Sequence, residues 1–167
     1  MVYAKTKNAA ASLSKQVAEG KMHKKYLAVL CGKPVDNNGT YVDYLKQDKK
    51  NNCSRIVDKS DPDGKRAELE YKVLDCMQTE EKDPQYLSLV EIKLLTGRHH
   101  QIRVQFSGHG TPLYGDGKYG NNEKAVRKSL ALCACHLRFK HPATGRIMDF
   151  QIKPDTGAFK LFSKNIS

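Results

Sequence analysis

Residues 94–120 contain the side chains whose types and spacing are best suited to chemistry. An apolar run of strand type ends at Gly97, Arg98 and Arg103 follow at a spacing that suits one short helix, and a turn rich in Gly and Pro leads to Asp116. A guanidinium binds a carboxylate or a phosphate through a planar fork of N–H donors. The segment therefore predicts a strand, a short helix that carries arginine side chains, and a turn.

The charge balance favours a polyanionic partner. The 167 residues include 29 Lys and Arg against 18 Asp and Glu, which gives a formal net charge of +11. A basic excess of this size favours nucleic acids through the release of counterions. The sequence shows no run of about 18 apolar residues and no signal-peptide pattern, so no membrane partner is expected and the predicted location is the cytoplasm.

The cysteines predict neither a disulfide framework nor a metal site. Their count of five is odd, and reduced thiols are typical of a cytoplasmic protein. Cys133, Cys135 and His136 lie close together in the sequence. Their alternation is typical of a strand, however, and no second Cys or His pair completes a zinc site. No bound metal is therefore expected.

The periodicity of apolar residues predicts a single α+β domain over residues 1–167. Predicted strands, bounded by Gly, Pro or charged turns, are Tyr26–Cys31, Gly39–Asp43, Ala67–Leu74, Tyr86–Leu94, Leu130–Phe139 and Ile147–Ile152. Helical segments are predicted after the candidate N-cap Asn8 and at His100–Ser107, Glu123–Lys128 and Phe159–Phe162. Residues 1–6 are expected to be the tail of a strand, and residues 46–52 an exposed loop. Neighbouring strands joined by polar turns predict a mixed, largely antiparallel sheet with flanking helices.

Several motifs, in order and spacing, resemble those of the RluA-type RNA pseudouridine synthases. The matched elements are Lys24-Lys25-Tyr26-Leu27-Ala28, Gly64-Lys65-Arg66-Ala67 with Glu70-Tyr71, residues 96–104, residues 110–120 and the strand with its His-Pro turn at residues 130–142. Beside this core, His99, Gln105 and Cys133 depart from the residues that relatives usually carry. A set of ordered motifs is far more specific than one short match. The chain is therefore identified as a member of that family.

Membership implies an activity and a mechanism. The family isomerises uridines of ribosomal or transfer RNA to pseudouridine without metal or cofactor, after flipping the base out of its stack. An aspartate in a His-Arg-Leu-Asp motif attacks the nucleotide covalently. That motif is expected to precede Met1, so the chain is interpreted as the C-terminal majority of the catalytic domain, truncated at its N-terminus and inactive alone. The alternative is a non-catalytic RNA-binding module that has lost the aspartate.

The resemblance also implies roles for individual residues. Arg103 corresponds to the arginine that pairs with the nucleophilic aspartate. Tyr26 corresponds to the tyrosine that stacks on the flipped base and is implicated in proton removal from C5. Leu130 or Leu132 would supply an apolar wall under the base, although alternating leucines in a strand are also typical of a core.

Other polar residues of the motifs are candidates for contact with RNA or for support of the site. Phosphates of the RNA backbone would be contacted by Arg98, Lys24 and Lys25. His100 is interpreted as orienting the loop that precedes Arg103. Asp116 is interpreted as a turn or packing residue, because the family keeps it alongside its nucleophile.

Overall fold

A sheet of seven strands organises the chain. The structure, a computed structural model, describes residues 2–79, 86–120, 129–164 and 166. Its elements are α1 (Lys7–Ala18), β1 (His23–Cys31), β2 (Asn38–Asp48), β3 (Cys53–Val57), β4 (Lys65–Gln78), β5 (Tyr86–Leu94), α2 (Gln101–Gly108), β6 (Leu132–Lys140), β7 (Ile147–Gln151) and a 3₁₀ helix (Gly157–Phe162). The strand order is β3-β2-β4-β5-β1-β6-β7. All pairings between these strands are antiparallel, so the predicted α+β class is confirmed and the sheet is more uniform than the mixed sheet expected.

Strand β1 joins two parts of the sheet that are distant in sequence. It pairs with β5 on one side and with β6 on the other, so that Tyr26 lies opposite Ile92 and Ala134. The register to β6 shifts between Lys25 and Tyr26, as at a β-bulge. Because side chains alternate between the two faces of a strand, Tyr26 and Ala28 point to one face and Lys25 and Leu27 to the other.

Both faces of the sheet are covered. On one face, Ile102 and Phe106 of α2 pack on a buried cluster that includes Ala28, Leu30 and Ile92. On the opposite face, Phe159 and Phe162 of the 3₁₀ helix pack on a second cluster that includes Leu27, Val29, Leu87 and Leu89. Coverage of both faces explains why β5 is buried at four consecutive residues, 87–90, rather than at alternate ones.

The N-terminal segment differs from the prediction. Residues 2–6 form no strand, and α1 begins with Thr6 rather than Asn8 as its N-cap. Thr6 has an extended backbone, and its Oγ1 accepts a hydrogen bond from the N–H of Ala9 at 3.2 Å, which satisfies one of the free donors of the first turn. Farther along, the Gln16 side chain both donates to and accepts from the backbone of Lys140, at 2.8 Å each, which fixes α1 to the end of β6.

The hairpin of β2 and β3 is the largest departure from the predicted elements. Residues 46–48, expected in a loop, continue β2, and β3 had not been predicted. Charged residues are accommodated here because Lys46 Nζ lies 3.2 Å from Asp61 and 2.9 Å from Asp63. Partners supplied by the tertiary structure thus replace the apolar pattern that strand prediction requires. The helix predicted at Glu123–Lys128 lies outside the described residues.

Candidate active site

Helix α2 and the loop before it position Arg103. His100 adopts the left-handed backbone conformation, with φ 53°, and the helix starts at Gln101. The buried Gln101 side chain accepts hydrogen bonds from the N–H of Arg98 and the hydroxyl of Thr96, both at 2.9 Å, and donates to the carbonyl of Glu68 at 3.0 Å. This network fixes the path of residues 96–101 against β4, and hence the start of α2.

The central feature of the site is an ion pair between Arg103 and Asp116. Arg103 Nε donates to Asp116 Oδ2 at 2.8 Å, and Nη2 donates to Oδ1 at 2.7 Å. The side chain of Asp116 is fully buried, and that of Arg103 is 18% exposed. The N–H groups of Lys118 and Tyr119 also donate to Oδ1, each at 3.0 Å. A carboxylate with this many donors is a strong anchor for a guanidinium.

The environment of Asp116 favours its ionised form. Burial works against ionisation, but the hydrogen bond from Arg103 and the backbone N–H groups of Tyr119 and Lys118 outweigh burial and lower the pKa of Asp116. The hydrogen bond to Asp116 in turn raises the pKa of Arg103. The pair is therefore charged at neutral pH.

Two glycines allow the Asp116 loop to pack closely. Gly115 has φ +74°, and a Cβ there would overlap the carbonyl of Ser129. At Gly120 a Cβ would overlap the carbonyl of Asp116, to which the N–H of Gly120 donates at 2.9 Å. Only glycine accommodates both contacts without displacing backbone. The Gly-Asp and Tyr-Gly pairs of the sequence motif therefore serve to bring the carboxylate under Arg103.

Tyr119 connects this ion pair to the β2–β3 hairpin. Its hydroxyl accepts from the N–H of Ser54 at 2.8 Å and lies 2.9 Å from His100 Nδ1. Its ring lies under the guanidinium of Arg103, 4.9 Å from Cζ to the ring centroid, a cation–π geometry. Burial, followed by the positive charges of Arg103 and neighbouring His99, lowers the pKa of His100. In the tautomer protonated at Nε2, neutral His100 accepts a hydrogen bond at Nδ1 from the Tyr119 hydroxyl.

Tyr26 lies on the same face of the sheet as α2. It is partly buried and packs, with Leu132, against the cluster that contains Ile102 and Phe106. Burial raises the pKa of the Tyr26 phenol, so the side chain carries its proton at neutral pH. The structure therefore brings the predicted residues Tyr26, Leu132, Arg103 and His100 to one side of the sheet.

The remaining predicted residues, Lys24, Lys25, Leu130 and Arg98, do not all lie on the face of Tyr26. Lys24 alternates onto the face of Tyr26, whereas Lys25 lies on the opposite face, where its Nζ is 3.1 Å from both carboxylate oxygens of Glu91. Leu130 precedes β6 and is 36% exposed. Arg98 is exposed, and its Nε donates to the carbonyl of Arg66 at 2.9 Å. The structure thus separates Lys25 from the other candidates, whereas the backbone of Leu130 lies beside Gly115, next to Asp116.

Sequence reasoning missed the part that Asp116 and Tyr119 play in the site. Asp116 does close a turn, as predicted, since its carbonyl accepts from Gly120. It also supplies the carboxylate that pairs with Arg103, a partner that the sequence analysis had expected from an upstream motif. The useful signal was a carboxylate between two glycines, a pattern that suits a buried acidic group in a tight turn.

Possible metal ligands are dispersed. Among the described residues no group of three or more His, Cys, Asp or Glu side chains could hold a metal ion. Of the cluster considered in the sequence, the Cys135 thiol donates to the carbonyl of Lys25 at 3.4 Å, and His136 Nε2 lies 2.6 Å from Asp149. In the same part of the chain no helix is long and apolar enough to cross a bilayer.

Known proteins share this fold and these motifs. The family model described as RNA pseudouridylate synthase matches residues 1–108. Human RNA Pseudouridylate Synthase Domain Containing 1 superposes with a TM-score of 0.73 at 26% identity, covering 90% of this chain and 62% of that one. The chain therefore belongs to the RNA pseudouridylate synthase family, and the resemblance inferred from its motifs is confirmed.

Two curated relatives from bacteria match most of this chain. The chain is 35% identical over 158 residues to ribosomal large subunit pseudouridine synthase D of Zymomonas mobilis, covering 90% of this chain and 47% of that protein. It is 36% identical over 151 residues to the uncharacterized RNA pseudouridine synthase YlyB of Bacillus subtilis, covering 90% of this chain and 46% of that protein. The chain thus spans about half the length of the curated relatives it matches.

Proposed function

We propose that the chain supplies the substrate-holding part of an RNA pseudouridine synthase, with Arg103 and Tyr26 at the reacting nucleotide. The observation that carries this proposal is the buried ion pair of Arg103 and Asp116 on the same face as Tyr26, within a chain of this family. Relatives named for the ribosomal large subunit favour ribosomal RNA as the substrate. The cytoplasmic location expected from the sequence remains a prediction.

The geometry of Arg103 leaves room for a second carboxylate. Asp116 occupies Nε–H and one Nη2–H, and within the described residues both Nη1–H donors and the other Nη2–H have no hydrogen-bond acceptor. A nucleophilic aspartate could therefore bind this edge of the guanidinium, which would keep it ionised and in position to attack the nucleotide. In this proposal Asp116 orients the guanidinium, and the nucleophile receives its remaining donors.

The Tyr26 ring and Leu132 would hold the flipped base. Aromatic rings bind flipped bases by stacking, which offsets part of the cost of leaving the helix. The raised pKa of Tyr26 keeps the hydroxyl protonated, so it enters the reaction as a hydrogen-bond donor. Removal of the C5 proton then requires an acceptor that takes the phenol proton at the same time.

The 167 residues alone are expected to bind RNA without turnover. They contain no His-Arg-Leu-Asp sequence, the motif that the family resemblance assigns to the nucleophile. The test is a chimera in which the N-terminal half of the Bacillus subtilis relative YlyB precedes residue 1. Tritium release from RNA labelled at C5 of uridine would then be measured for the chain and for the chimera.

We expect turnover by the chimera and none by the chain. In the chimera, Arg103→Ala and Tyr26→Phe should each lower the rate by at least about 100-fold, in line with the loss of a group that acts on the transition state. Lys153→Gln, a charge change at an exposed residue outside the site, is the matched control. A folded chimera that binds RNA but releases no tritium would favour the non-catalytic RNA-binding module instead. Release by the chain itself would show that a nucleophile lies within the 167 residues.

A further inference from the structure

A basic groove lies beside the loop that leads into α2. It has a volume of about 720 Å³ and is formed by β2, the turn between β3 and β4, and the loop 97–99. Its cationic lining residues are Lys46, Lys49, Lys65 and Arg98. Because the loop 97–99 continues into His100 and the α2 helix of Arg103, this groove is contiguous in sequence with the candidate active site.

The acidic residues of the groove are already engaged. Asp63 pairs with Lys46, at 2.9 Å. Asp48 accepts from the N–H groups of Lys50 and Asn51 at 2.9 and 3.1 Å, and from the Asn51 side chain at 2.7 Å, which closes the β2–β3 turn.

The other three cations of the lining form no ion pair with the described residues, although Arg98 Nε donates to the carbonyl of Arg66 at 2.9 Å. Within the described ranges of the chain, Lys49, Lys65 and Arg98 have no carboxylate partner. These three side chains are therefore available to bind an anion.

The lining lacks a surface on which a base could stack. None of the residues that line the groove in the described part of the chain is Phe, Tyr or Trp. The ring of His99, which does line it, lies against that of His100 with centroids 3.8 Å apart and a tilt of 31°, and its nitrogens contact Ser54 and Asn52 at 3.0 and 3.1 Å. Proteins that bind single strands combine cations with exposed aromatic rings. Cations without such rings suit the phosphates of a duplex, whose bases stay paired.

We propose that this groove binds the phosphate backbone of an RNA stem adjacent to the target uridine, through Lys49, Lys65 and Arg98. The inference rests on the proposed function for the identity of the polyanion as RNA. It adds a second contact surface, separate from the Arg103–Asp116 pair, that recognises helical RNA without reading its bases. The stem would then direct the unpaired uridine towards Arg103.

The test compares two charge-neutralised variants of the 167-residue chain. One is the groove variant Lys49→Gln, Lys65→Gln, Arg98→Gln. The other is a matched control with the same charge loss, Lys153→Gln, Lys160→Gln, Lys164→Gln, at exposed residues around the 3₁₀ helix on the other face of the sheet. Fluorescence anisotropy would measure the affinity for an RNA hairpin and for an unstructured RNA of equal length, over a range of salt concentrations.

We expect the groove variant to lose about 10-fold or more in affinity for the hairpin, and its slope of log K against log salt to fall by about 3, since each phosphate contact contributes about one unit. The control should retain most of the affinity. A third variant that keeps the charges, Lys49→Arg, Lys65→Arg, Arg98→Lys, should bind the hairpin about as well as the unmodified chain. Equal losses in groove variant and control would overturn the groove proposal while leaving the proposed function intact. An equal loss for the unstructured RNA would overturn the assignment to a stem. If the unmodified chain binds neither RNA, the proposed function itself loses its RNA partner.

Discussion

The two faces of the sheet bury apolar side chains in similar ways but differ in what accompanies them. The face under the 3₁₀ helix buries Phe159, Phe162, Leu87 and Leu89, and its ion pair of Lys25 and Glu91 is partly exposed, at 44% and 36%. The face under α2 buries a comparable apolar cluster and, beside it, the carboxylate of Asp116 and the amide of Gln101. The second face therefore combines packing with a network of fixed polar groups.

The two faces therefore contribute differently: apolar packing stabilises the fold, and the polar network positions the Arg103 guanidinium. Apolar packing is favourable in itself, whereas a buried ion pair recovers little more than the cost of removing two charges from water. At Arg103 and Asp116 an apolar pair would avoid that cost but would leave the N–H groups of Lys118 and Tyr119 without their acceptor. The polar network on the α2 face is thus better understood as fixing where a guanidinium points, and each prediction below tests whether the faces differ in this way.

The largest effect is expected on the apolar face. Phe162→Ala removes a fully buried ring and should lower the free energy of unfolding by about 3–5 kcal/mol. Leu161→Ala, at the neighbouring residue that is 54% exposed, is the control and should cost less than about 0.5 kcal/mol. Urea denaturation measures both. A loss for Phe162→Ala that varied between pH 8 and pH 5 would contradict a purely apolar role for this face.

On the α2 face, removal of the Asp116 carboxylate should lower the free energy of unfolding by slightly less than Phe162→Ala does. Asp116→Ala leaves Arg103 without its carboxylate and two backbone N–H groups without an acceptor, so we expect a loss of about 2–4 kcal/mol. The double variant with Arg103→Met should lose less than the sum of the single losses, with a coupling of about 1–3 kcal/mol.

The control is the exposed pair of Lys93 and Glu70, whose side chains are 52% and 46% exposed. Glu70→Ala should cost less than about 1 kcal/mol, because a solvent-exposed pair contributes little. Both sets are measured by urea denaturation at pH 7. Strictly additive losses at Arg103 and Asp116 would show that the pair is not a unit.

The smallest expected effect is a pH dependence of the free energy of unfolding, which arises from His100 on the α2 face. The pKa of His100 is lowered in the folded state. As the pH falls below about 6.5, the unfolded chain therefore binds a proton at His100 before the folded chain does. The contribution of neutral His100 to stability is therefore complete above that pH and is lost as the pH falls through the lowered value. His100→Asn keeps an acceptor for Tyr119 and tolerates the left-handed backbone. Thermal melts between pH 8 and pH 5 should show a shallower decline for this variant, and an unchanged slope would contradict the prediction.

The sequence predicted those elements whose patterns are local. β5 was predicted with its observed bounds, and β4, β6 and α2 to within a few residues, because alternation, helical spacing and glycines mark them directly. The continuation of β2 and all of β3 were missed, since Lys46 depends on Asp61 and Asp63, and β3 depends on its pairing with β2, for support.

The site was predictable in its residue types but not in its pairings. Arg103 and Tyr26 were chosen from motifs, and both lie on one face of the sheet. The pairing of Arg103 with Asp116 and the hydroxyl contacts of Tyr119 arise from a loop that folds back over α2. Such contacts join residues of distant segments and leave no periodic trace in the sequence.

The position of β1 in the middle of the sheet constrains how the site comes into existence. Its neighbours β5 and β6 follow it in the chain by tens of residues, whereas the β2–β3 and β6–β7 hairpins are local and close early at little entropic cost. Tyr26 acquires both of its flanking strands only when β5, paired with β4, and the β6–β7 hairpin meet along β1. In a nascent or partly unfolded chain the β2–β3 hairpin can therefore form before Tyr26 has both of its neighbouring strands, so under the proposed function RNA affinity would precede catalytic competence during folding.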